Sequence, residues 1–143
     1  MKISSLFILL TAIATPALGA APGECLVAAA REQIGLTVHY DGRYVQLSYP
    51  GGDVPLERGV CTDVLIRAYR ELGVDLQQLV HEDMTVAWER YPKIWGLARP
   101  DTNIDHRRVP NLATYFARKG QSLSAAPEPE LFLPGDIVTW RLS

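Results

Sequence analysis

Two stretches of this 143-residue chain bring together side chains that could do chemistry. In Gly59-Val60-Cys61-Thr62-Asp63-Val64 a cysteine opens a run with apolar residues at Val64, Leu65, Ala68 and Leu72, close to helical spacing, and Gly73 ends it. A thiol in the first turn of a helix faces unpaired N–H groups and the positive end of the macrodipole, both of which favour thiolate over thiol. That is the chemistry of a nucleophile, although a cysteine also serves as a small buried hydrophobe. The second stretch is Asp105-His106-Arg107-Arg108. His106 could act as a base, and Arg107 and Arg108 could clamp a substrate carboxylate. Equally, Asp105 and Arg108 could brace their own loop through charged hydrogen bonds.

The loop Pro50-Gly51-Gly52-Asp53-Val54-Pro55 leads the chain toward the cysteine helix. Its paired glycines permit backbone angles that other residues avoid, or the close approach of a ligand. Gly51, Gly52 and Asp53, with Thr62, Asp63, Asp105, His106, Arg107 and Arg108, are therefore the candidate substrate-contacting residues around Cys61. His81, Asp83 and His106 could group around a metal, but no metal-ligand spacing repeats, and neither metal nor cofactor is expected. Cys25 and Cys61, the two cysteines of the chain, could instead form one disulfide.

The elements that must position these residues read as mostly helical. Glu24 to Ile34 places Leu26, Val27, Ala30 and Ile34 on one face before Gly35. Asp41-Gly42 marks a turn, and Tyr44 to Tyr49 alternates as a short strand. Asp75 can cap a helix carrying Leu76, Leu79, Val80 and Met84, which runs toward Tyr91 until Pro92 stops it. Residues 93–108 read as a long loop. Pro110 to Lys119 forms a short helix with Leu112, Tyr115 and Phe116 inward, ended by Gly120. After a Pro- and Glu-containing linker, Ile137 to Trp140 reads as a strand.

Composition bounds the partners. Lys and Arg number 14 against 16 Asp and Glu, a net charge of −2, and no basic run exceeds Arg107-Arg108, so nucleic acid is not expected as a partner. Residues 1–20 read as a signal peptide: Lys2, the apolar run Ile3 to Ala14, Pro16, then small residues from Ala17 to Ala21. The run is too short to span a bilayer, although an uncleaved anchor is the alternative. After cleavage no transmembrane segment remains, and residues 21–143 form one domain, periplasmic or secreted. Nothing in the sequence speaks to oligomeric state.

Five blocks in order, Tyr49 to Pro55, Gly59 to Val64, Val80 to Met84, Asn103 to Leu112 and Pro134 to Trp140, resemble bacterial exported proteins of the domain-of-unknown-function family 1287. More distantly, a cysteine opening a helix followed by a Pro-Gly-Asp strand entry is similar to the NlpC-type cell-wall peptidases of the papain-like superfamily. That resemblance implies an α+β, papain-like fold with helices first and a small antiparallel sheet after. It places Cys61 at the nucleophile and Asp136 at the strand-entry turn. It also implies a histidine base on a strand soon after Trp140, which has no counterpart here, so the domain is expected to be C-terminally truncated. The function so implied is cysteine hydrolysis of an amide in cell-envelope material such as peptidoglycan peptide, with little turnover in this form. The alternatives are a non-catalytic envelope binding protein lacking the base histidine, and a disulfide-stabilised structural module.

Overall fold

The computed structural model describes residues 21–126 and 128–140, and the segment read as a signal peptide lies outside them. Four α-helices carry the architecture: α1 (Pro22–Arg31), α2 (Cys61–Glu71), α3 (Leu76–Ala87) and α4 (Val109–Lys119). Two-residue strands β1 (His39–Tyr40) and β2 (Arg58–Gly59) pair between α1 and α2. The fold is mixed helix with a very small sheet, consistent with an α+β class. Among the described residues no helix is long and apolar enough to cross a membrane.

Helix α2 is covered on more than one side, which is why a single apolar stripe describes it poorly. Ile66 and Ala68 are buried, but so are Thr62, Asp63 and Arg67. On one flank lies α1, whose C-terminal extension is pinned by Gln33 Nε2 donating to the Val64 carbonyl at 2.8 Å. On the other is the apolar core of Ile66, Leu76, Val80, Met84, Tyr91, Leu112 and Tyr115. Asp75 caps α3, its Oδ1 accepting from Gln77 N at 3.0 Å, and the helix passes into a 3-10 turn over Trp88–Arg90 before Pro92. Arg118 and Lys119 of α4 bind Asp83 of α3 at 2.6 and 2.8 Å, and Tyr91 donates its hydroxyl to the same carboxylate. These contacts, Arg118 foremost, hold the Asp83 carboxyl well below the usual carboxylate range.

Neither strand expected at residues 44–49 and 137–140 forms, and no antiparallel sheet is present among the described residues. The one pairing is parallel, His39 beside Arg58 and Tyr40 beside Gly59. Residues 44–49 spend their backbone groups on side chains instead. Leu47 N donates to Asn103 Oδ1 at 2.8 Å, and the Ser48 carbonyl accepts from Gln77 Nε2 at 2.9 Å. Alternation of residue types cannot reveal such competition, because a buried amide satisfies a carbonyl as well as a neighbouring strand does.

The helix periodicity makes a direct contrast within α3. Met84 is 1 % exposed and Val86 is 82 % exposed. Met84→Ala is expected to lower unfolding stability by about 2–5 kcal/mol, whereas Val86→Ala should change it by less than about 0.5 kcal/mol; urea titrations of the two variants check this.

Candidate functional site

Cys61 is the first residue of α2, and its thiol is free and exposed, so no disulfide joins it to Cys25. The preceding residue, Val60, is extended and acts as N-cap. The cap is supplied from inside the helix: Asp63 Oδ2 accepts from Val60 N at 2.7 Å, while Asp63 N donates to the Val60 carbonyl at 2.9 Å. Gly59 is required here, since a Cβ on it would stand 2.8 Å from Asp63 Oδ2. The N–H groups of Cys61 and Thr62 have no acceptor within the helix, as the first-turn geometry dictates.

Asp63 is 2 % exposed and would be costly as a lone buried carboxylate. Arg107 completes it with a two-pronged pair, Nε to Oδ1 at 2.8 Å and Nη2 to Oδ2 at 3.0 Å. The same guanidinium donates to the Asp41 carbonyl at 3.1 Å and the Arg43 carbonyl at 3.2 Å. Thr62 Oγ1 donates to the Arg107 carbonyl at 2.9 Å, closing the arrangement. The start of the cysteine helix, the 3-10 turn Asp105–Arg107 and the turn after β1 are therefore one hydrogen-bonded unit.

None of the other candidates has a hydrogen bond to the thiol among the contacts of the described residues. His106 is 2 % exposed and its Nδ1 has no hydrogen-bond partner. Burial lowers its pKa from 6.5 to about 4, against an opposing pull from Asp63, so the ring is neutral near pH 7. Asp105 is buried, and burial raises its pKa despite the Arg108 guanidinium at 3.1 Å and the bond from Asp101 N. Arg108 also lies 4.0 Å over the Trp95 ring. Asp105 and Arg108 thus pin their loop. His81 packs edge-on against Tyr49 with centroids 5.2 Å apart, and Asp83 is taken up by Arg118, Lys119 and Tyr91. His81, Asp83 and His106 form no metal-binding group, and among the described residues no other three His, Cys, Asp or Glu do so.

With this geometry in hand, comparison with known proteins gives the family. The profile of the domain of unknown function DUF1287 matches residues 27–143. The chain belongs to that family. It is 60 % identical over 113 residues to the uncharacterized protein YijF of Escherichia coli strain K12, a match covering 79 % of this chain and 55 % of that protein. The chain thus spans about half the length of the curated relative it matches. No solved structure matches it.

Within this family member the glycine loop is stitched to the far part of the helix pair. Gly51 N donates to Asp75 Oδ2 at 2.7 Å, Gly52 N to Gln77 Oε1 at 2.8 Å, and the Gly52 carbonyl accepts from Arg70 Nη2 at 2.8 Å. A Cβ on Gly52 would lie 2.1 Å from the Ser48 carbonyl oxygen, so close backbone packing sets that glycine. Asp53 forms a two-pronged pair with Arg67, at 2.7 and 3.0 Å, and Arg67 also donates to the carbonyls of Val54 and Arg58. The sequence pattern gives no role to Arg67 or Gln77 and marks Asp41-Gly42 only as a turn. The available signal for the first two was a polar residue between apolar positions on the inner faces of α2 and α3.

Two outcomes follow from these burials. Arg107→Ala should lower stability by about 3–5 kcal/mol, because it strands the Asp63 carboxylate; denaturant unfolding measures it. His106 gives a pH signature. The unfolded chain takes up its proton near 6.5 and the folded chain only near 4, so falling pH between those values favours unfolding. That contribution is intact above pH 6.5 and is lost through the window, by roughly 3 kcal/mol in all. Asp105 works in the opposite sense in every variant, so the difference in urea midpoint against pH between the native chain and His106→Leu isolates the histidine.

Proposed function

We propose that the chain carries the nucleophile of an exported cysteine hydrolase, of NlpC-type papain-like fold, that cleaves an amide in cell-envelope material such as peptidoglycan peptide. The observation that supports it is the free, exposed thiol of Cys61 on the first residue of a helix whose start is locked by Asp63 and Arg107. Cys61 would attack the amide carbonyl carbon. The N–H groups of Cys61 and Thr62 would receive the developing oxyanion. Collapse of the tetrahedral adduct breaks the C–N bond, the amine leaves with a proton from a general acid, and water then hydrolyses the thioester. The apolar run Ile3 to Ala14 supports export to the periplasm or beyond, where such substrates lie.

The NlpC-type resemblance gives the proton donor's part to a histidine, and the chain's three histidines are placed differently from one another. His106 is buried and His81 packs on Tyr49, while His39 sits on β1 opposite Arg58, three residues before the cysteine in the paired strand. That same placement favours a second reading, an envelope binding protein without turnover. Iodoacetamide mapping of the exported protein, together with release of amine from purified peptidoglycan peptides, separates them. The hydrolase reading expects alkylation at Cys61 and release abolished in Cys61→Ala. Peptide retention with no release in either protein would leave the binding reading. An unreactive Cys61 would sink the hydrolase.

A further inference from the structure

Beside the cysteine helix lies an open cleft of about 420 Å3 lined by His39, Tyr40, Asp41, Gly42, Arg43 and Arg58. It opens where β1 leaves its pairing with β2, and Asp41 N still donates to the Gly59 carbonyl at 2.9 Å. Gly42 faces Val60: a Cβ on it would stand 3.6 Å from Val60 Cγ1, in ordinary van der Waals contact. Val60 immediately precedes Cys61, so one wall of the cleft adjoins the thiol-bearing residue.

The arginines of the chain divide sharply by what they hold. Arg67, Arg107 and Arg118 are committed to Asp53, Asp63 and Asp83, the last two of them buried. Arg43 and Arg58 differ, with side chains 74 % and 39 % exposed. Both turn to one carboxylate, Asp41: Arg43 through Nε at 2.9 Å and Nη2 at 2.7 Å, Arg58 through Nη1 at 3.6 Å. Asp41, and Glu57 from outside the lining, balance the two cations, while Arg43 Nη1 and Arg58 Nη2 have no acceptor among the described residues. Glu57 meets Arg58 Nε at 3.4 Å but does not line the cleft. The turn itself is fixed from beneath, because Arg107 donates to the carbonyls of both Asp41 and Arg43. Tyr40, 84 % exposed, adds an aromatic surface at the rim.

Guanidinium groups held in place with free N–H donors recognise carboxylates in two-pronged fashion. We infer that this cleft is a subsite for a carboxylate-bearing peptide, with Arg43 and Arg58 as its specificity-determining residues. It rests on the hydrolase-or-binder reading of Cys61 only for its role beside the thiol: the carboxylate would sit next to the bond presented to Cys61. The clamp that sequence reading sought in Arg107 and Arg108 is thereby assigned to a different pair, for which Arg107 is a positioning residue.

The test measures binding without chemistry. The full chain carrying Cys61→Ala is titrated with acetyl-alanyl-glutamyl-alanine amide and with its glutamine counterpart, following the Tyr40 and Gly42 amide resonances. The acidic peptide should shift both, and the neutral one should bind at least roughly fivefold more weakly. Arg43→Gln and Arg58→Gln should each weaken the acidic peptide by roughly threefold to fivefold, and the double variant by roughly tenfold or more. Arg90→Gln, outside the cleft, should change nothing. Equal affinity for the two peptides, no shift with either, or undiminished affinity in the double variant would overturn the assignment. Inorganic phosphate displacing the peptide at equal concentration would replace a carboxylate subsite with a general anion site. An unreactive Cys61 would defeat the hydrolase and leave these binding results standing.

Discussion

The arrangement around the thiol depends on one interaction, the buried pair between Asp63 and Arg107. Both side chains are within a few per cent of complete burial, and neither would tolerate that environment alone. Asp63 is placed by helix geometry: at the third position of α2 it reaches back to the Val60 N–H and fixes where the helix begins. Arg107 is placed by a tight 3-10 turn 44 residues further on. Their meeting converts a local capping contact into a long-range one. Because the same guanidinium also holds two carbonyls of the Asp41–Arg43 turn, the start of the cysteine helix, that turn and the 3-10 turn at Asp105–Arg107 are joined by one side chain. A buried ion pair adds little net stability against an apolar replacement of like shape. Its value here is geometric, since no hydrocarbon could satisfy a backbone N–H, a carboxylate and two carbonyls together.

A second polar hub repeats the strategy along the rest of the 48–58 segment. Arg67 joins Asp53 and the carbonyls of Val54 and Arg58, and Gln77 joins Gly52, Ser48 and Thr102. Irregular backbone is costly to bury unless each N–H and C=O finds a partner. These two side chains supply the partners that sheet neighbours would otherwise give. This explains how the described residues, with one two-residue strand pair among them, hold a long extended segment against a helical core.

The helices were legible because their signals are local and redundant. Asp75 before an apolar repeat, Pro110 at the entry of α4 and Pro92 after Tyr91 each act within a few residues. The strands were not legible. Residues 44–49 alternate as a strand does, yet their partners are Asn103 and Gln77, which no short window contains. The site was half legible. A cysteine opening a helix is a sequence pattern, and the structure places Cys61 at that first position. That Asp63 and Arg107 would be spent on each other, and that Arg107 would also hold the Arg43 carbonyl, depends on contacts across 44 and 64 residues.

The position of Asp63 sets a further constraint on any chemistry at Cys61. A carboxylate in the first turn puts negative charge where the proposed thiolate and oxyanion would form, and it would oppose both. Asp63 is nonetheless needed, because it caps Val60 and so defines the first turn. Arg107 resolves the conflict. By pairing both carboxylate oxygens it cancels the unwanted field while leaving the cap intact, and the free N–H groups of Cys61 and Thr62 remain the nearest uncompensated dipoles. Replacing Asp63 by a neutral cap would remove the field but also the anchor for Arg107, and with it the hold on the Asp41–Arg43 turn. A charged cap paired by a distant arginine is therefore the arrangement that serves helix start, thiol and neighbouring cleft at once.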